Sequence, residues 1–84
     1  MKHAGPAALD RLEPLLRRIR DLPGLRETRR GVFYRGGRAF LHFHEDPAGL
    51  FADIRVSGPD FERIAVSGPA GREALLARLR AARA

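Results

Sequence analysis

Val32-Phe33-Tyr34-Arg35-Gly36-Gly37-Arg38-Ala39-Phe40-Leu41 is the stretch that decides the fold. Its two arms alternate in character with a period of two, as a half-buried strand requires. Gly36-Gly37 stands at the centre, and glycine accepts the positive φ that a two-residue hairpin turn demands. Folding the stretch about these glycines pairs Arg35 with Arg38, Tyr34 with Ala39, Phe33 with Phe40 and Val32 with Leu41. Each pair keeps one character on one face, so an antiparallel hairpin is predicted here.

Working outward, the second arm runs to about His44. Glu45-Asp46-Pro47-Ala48-Gly49 follows as a turn, with Asp46 accepting a turn N–H. Leu50 to Val56 is the next predicted strand, Ser57-Gly58-Pro59-Asp60 turns again, and Phe61 to Val66 is the last strand. Ser67-Gly68-Pro69 then opens a helix: Ser67 or Gly68 caps it, Pro69 occupies its first turn, and Leu75, Leu76 and Leu79 form its buried stripe. On the other side, Leu25 to Arg30 fits a charged edge strand. Before it, Leu9, Leu12, Leu16 and Ile19 recur at helical spacing, with Asp10 and Glu13 at capping-box spacing and Pro14 in the first turn. This helix ends before Pro23-Gly24. Residues 1–8 read as a flexible leader to a domain of residues 9–84. The order predicts a two-layer α+β fold: an N-terminal helix, an antiparallel meander of four to five strands and a C-terminal helix, both helices on one face.

A chain of 84 residues makes one domain. Its 44% hydrophobic and 31% charged content is that of a globular chain. With no cysteine, disulfide scaffolds, Cys-ligated metals and thiol catalysis are excluded. The net charge of +6 comes almost wholly from arginine, since Lys2 is the single lysine. Abundant Ala, Gly, Leu and Arg suit a GC-rich bacterial genome, so the arginine count reads first as a solvated surface. No apolar run is long enough for a membrane span or a secretory signal, and a cytoplasmic protein is expected.

Alternation sorts the strands into two faces. One holds Val32, Tyr34, Ala39, Leu41, Phe43, Leu50, Ala52, Ile54, Val56, Ile64 and Val66, and belongs under the helices. The other holds Phe33, Arg35, Arg38, Phe40, His42, His44, Phe51, Asp53, Arg55, Phe61 and Arg63. Four phenylalanines on a face that merely met water would be unexpected. The expectation is therefore a non-enzymatic domain that forms a homodimer or binds a partner through Phe33, Arg35, Phe40, His42, His44, Phe51, Asp53, Arg55, Phe61 and Arg63. The first alternative is a nucleic-acid platform, with phenylalanine stacking on bases and arginine holding phosphates. The second is a small metal- or histidine-dependent enzyme.

That last alternative rests on Phe40-Leu41-His42-Phe43-His44-Glu45-Asp46. His42 and His44 are two apart and share a face. A register pairing His42 with Asp53 and His44 with Phe51 brings a carboxylate beside the imidazoles. The plainer readings need no ligand: a His42–Asp53 hydrogen bond, or Asp53 balancing Arg55 or Arg63. Neither a metal nor a cofactor is therefore assigned. His3 falls in the leader and carries no role. No nucleophilic serine stands nearby, and neither phosphate-binding glycine motif is present.

Gly37-Arg38-Ala39-Phe40-Leu41-His42-Phe43-His44-Glu45-Asp46, followed by Leu50-Phe51-Ala52-Asp53-Ile54, resembles a small bacterial luciferase-like domain family of unknown function. Leu22-Pro23-Gly24-Leu25 fits the family's lead-in helix and turn, and the likeness spans about residues 12–66. Leu41 stands where the family has glycine before its first histidine, and the family's later segment ending in Ser-Gly-Trp is absent. The helix–meander–helix order is also similar to that of MmcQ/YjbR-like proteins, to which DNA binding is ascribed. Neither resemblance implies a catalytic residue.

Overall fold

A computed structural model describes residues 1–56 and 58–82. Ser57, expected in a turn, and the last two residues of the expected 9–84 domain, Arg83 and Ala84, lie outside the described residues. The elements in chain order are β1 (Lys2–His3), α1 (Pro6–Arg20), β2 (Arg26–Arg29), β3 (Val32–Arg35), β4 (Arg38–Asp46), β5 (Gly49–Ile54), β6 (Glu62–Ala65) and α2 (Pro69–Ala81). The strands form one antiparallel sheet in the order β2-β3-β4-β5-β6. β1 pairs with the far half of β4, beyond the residues that β3 covers. This is the α+β meander with two helices that the periodicities predict.

Leu12, Leu15, Leu16 and Ile19 of α1, Leu75, Leu76 and Leu79 of α2, and Leu41, Phe43, Leu50, Ala52 and Ile54 of the sheet make one buried cluster. The Gly36-Gly37 turn forms as expected, with φ of 57° and 81°. Asp46 Oδ1 accepts the Ala48 N–H at 2.7 Å, which fixes the β4–β5 connection. Strand pairing continues to Asp46 and Gly49, so only Pro47-Ala48 remains as the turn.

The hairpin register holds for two pairs and then breaks. Arg35 faces Arg38 and Tyr34 faces Ala39, but Phe33 faces Leu41. Phe40 is therefore an extra residue on β4, a β-bulge, and alternation inverts across it. Phe33, at 1% exposure, and Phe40, at 5%, are in the core rather than on the outer face. Arg35 goes with them: its guanidinium donates to the Ala82 carbonyl at the end of α2 and lies over the Phe40 ring. Val32 and Tyr34, placed under the helices by simple alternation, are only half-buried and outside the core cluster.

The boundary at residue 9 also moves. Lys2 and His3 pair with Glu45 and His44, and α1 starts at Pro6 with Gly5 as its N-cap. Glu45 Oε2 accepts the Gly5 N–H at 2.7 Å, placing a carboxylate at the positive end of the helix. Pro14 consequently lies inside the helix, not in its first turn. Asp10 and Glu13 do not cap: both carboxylates pair with Arg30 at 2.9 Å and tie the β2–β3 turn to α1.

Gly68 caps α2, while Ser67 Oγ accepts the Leu50 N–H at 2.9 Å. The helix closes on β6 at Gly71, where a methyl group would overlap the Ala65 carbonyl. Gly71→Ala should thus destabilise the domain by about 2–3 kcal/mol through overpacking, despite alanine's better helix propensity. Urea unfolding would measure it; a neutral or stabilising change would mean that α2 sits farther from β6.

Candidate metal centre on the open sheet face

β4 is long enough to be paired along its whole length, and that length builds the site. His42 and His44 point away from the helices, on the face opposite Leu41 and Phe43. β1 sets His3 directly across from His44. The imidazole centroids of His3 and His44 are 4.6 Å apart, those of His42 and His44 4.8 Å, and those of His3 and His42 5.8 Å. One ring nitrogen from each histidine lies within 4.8 Å of the other two. Three imidazoles from two strands therefore form one cluster.

The neighbours come from β5 and β6. The predicted register is observed: His42 faces Asp53 and His44 faces Phe51. Asp53 in turn faces Arg63, which binds it through two hydrogen bonds of 2.7 Å. Asp53 is 6% exposed, and chiefly the Arg63 guanidinium holds its carboxyl below the usual carboxylate range. It stays ionised at neutral pH. The expected His42–Asp53 hydrogen bond is not the contact made. Instead the His44 Nδ1 atom lies 3.1 Å from Asp53 Oδ2, off the line of a hydrogen bond.

This leaves an electrostatic anomaly. Nδ1 of His42 and Nδ1 of His44 are buried and have no hydrogen-bond partner. They are the buried side-chain polar atoms without a partner among the described residues. Leaving such an atom unsatisfied costs about 1–3 kcal/mol. Burial also pushes both imidazoles below their ordinary 6.5, against the opposing pull of the Asp53 carboxylate. Both rings are thus neutral at pH 7, the form that donates a lone pair to a cation.

Of the residues expected on this face, His42, His44, Phe51, Asp53, Arg55, Phe61 and Arg63 come together. Phe61 is 37% exposed, its ring 4.8 Å from that of His42 and beneath the Arg55 guanidinium at 4.7 Å. Phe33, Arg35 and Phe40 are elsewhere, for the reason given by the bulge. His3 is the residue that sequence reasoning missed. A two-residue strand has no periodicity to detect; the only clue was the opposite charge of Lys2 and Glu45, which pair beside it.

No helix is long and apolar enough to cross a membrane among the described residues. No protein-family model matches the chain, and no curated protein or solved structure does either.

Proposed function

We propose that the domain binds a divalent transition-metal ion of the zinc class through His3, His42 and His44. The observation that carries this reading is the clustering of three imidazoles, of which His42 keeps a buried Nδ1 with no hydrogen-bond partner. Imidazole suits zinc, copper and nickel, and three protein ligands on an open face leave a fourth position for water or a bound molecule. Tetrahedral zinc with bonds of 2.0–2.1 Å needs ligand atoms about 3.4 Å apart, so modest rotation of the imidazoles closes the site. Asp53 supports it as an outer partner that orients His44 and offsets the ion's charge, with Arg63 fixing the carboxylate.

Self-association through the same face has weaker support, because Phe33 and Phe40 are buried in the core and leave Phe51 and Phe61 alone. The same loss weakens a base-stacking platform. Calorimetric titration of chelator-treated protein with zinc chloride tests the metal reading. One equivalent per chain is expected, with at least about tenfold weaker binding in His42→Ala. A flat titration, or full affinity in that variant, rejects it.

A further inference from the structure

β3 covers the near half of β4 and β1 the far half, and a cavity of about 530 Å³ opens where the two meet. Ala4, Leu9, Val32 and Phe43 give it an apolar lining, while His3, Arg29 and Arg30 supply the polar side chains. The two arginines differ in what they have left to offer. Arg30 spends its guanidinium on Asp10, Glu13 and the Leu9 carbonyl. Arg29 makes no ion pair or side-chain hydrogen bond with any described residue, and no carboxylate lines the cavity. The space is within the range of small-molecule sites, which combine apolar walls with a few placed polar groups.

We infer that this cavity binds a small organic carboxylate with an apolar body. The hydrocarbon part lies against Leu9, Val32 and Phe43, and the carboxylate takes a charge-assisted hydrogen bond from Arg29. A neutral apolar molecule would leave Arg29 unused, and a small inorganic anion would leave the apolar wall unfilled. The inference goes beyond the metal reading and does not need it. His3 belongs to both the cavity and the histidine cluster.

The test is an NMR shift titration of chelator-treated protein with octanoate, using acetate and 1-octanol as the charge-only and chain-only controls. Saturable octanoate binding is expected, with shifts at Leu9, Val32 and Phe43 and at least about tenfold weaker binding of both controls. Arg29→Gln should weaken octanoate about tenfold and leave octanol unchanged. Val32→Trp should fill the cavity and abolish binding while the remaining spectrum stays dispersed. If that variant fails to fold, the Arg29→Gln comparison decides alone. Non-saturating octanoate shifts, acetate binding as tightly as octanoate, or full affinity in Arg29→Gln would each overturn the inference. Because no metal is present in the titration, these outcomes leave the zinc reading untouched, and a flat zinc titration leaves the cavity untouched.

Discussion

Zinc should raise the thermal midpoint of chelator-treated protein by roughly 15–30 °C once the free ion is about a thousandfold above its dissociation constant. A ligand that binds the folded state alone adds about 4 kcal/mol at that excess, and each kcal/mol moves a domain of this size by about 4–8 °C. The histidine variants carry the diagnostic sign. In metal-free protein, His42→Ala removes a buried nitrogen that has no partner. Its loss of packing against Phe61 is then offset, and stability shifts by less than about 1 kcal/mol. With zinc, the same variant loses the added stability. His3→Ala is cleaner still, because His3 is exposed on a short edge strand: metal-free stability is nearly unchanged and the zinc increment largely goes. The pH dependence follows from the depressed imidazoles. Their folded values lie below 6.5, so the unfolded chain takes up protons first. Metal-free stability is complete above that value and falls as pH drops through the folded ones. Protons compete with the ion over the same range, so the zinc increment shrinks together with the metal-free stability on acidification. An unchanged midpoint with zinc at pH 7.5, or the full increment in His3→Ala, would remove the metal site.

What the sequence revealed and what it hid divide along the range of the interactions. The Gly36-Gly37 turn, the Asp46 turn bond, the leucine stripes of both helices and the Pro69 start of α2 are set by residues a few positions apart. The β4–β5 register was legible too, because a one-residue slip would have sent Leu41, Phe43, Ala52 and Ile54 to the outer face together. Other features depend on partners far along the chain. Glu45 captures the Gly5 N–H across 40 residues and thereby starts α1 early. Ser67 serves Leu50 instead of its own helix. Asp53 could balance Arg55, Arg63 or His42 by sequence, and it takes Arg63 because β6 brings that residue opposite it. His3 reaches the site through the same kind of distant pairing. Strict alternation also assumes one residue opposite one, and nothing local marks Phe40 as the exception.

Phe33→Ala is the variant that separates the bulged sheet from the regular one. With the bulge, Phe33 is a fully buried core residue facing Leu41, and Phe→Ala at such a position costs about 3–5 kcal/mol in transfer and cavity terms. A domain of 84 residues has roughly 4–12 kcal/mol in all, so this one change removes a large part of it and lowers the urea midpoint accordingly. Phe61→Ala is the internal control. Its ring is partly exposed, and it loses contact mainly with Arg55 and His42, worth about 1 kcal/mol or less. Had one-to-one pairing continued through Phe40, both rings would lie on the outer face and both substitutions would cost similarly little. Equal, small losses in the two variants would therefore restore the regular hairpin, return Phe33 to the surface beside the histidines, and revive the aromatic interface in place of a metal centre. A loss at Phe33 several times that at Phe61 fixes the bulge, and with it the open, histidine-lined face on which the zinc site depends.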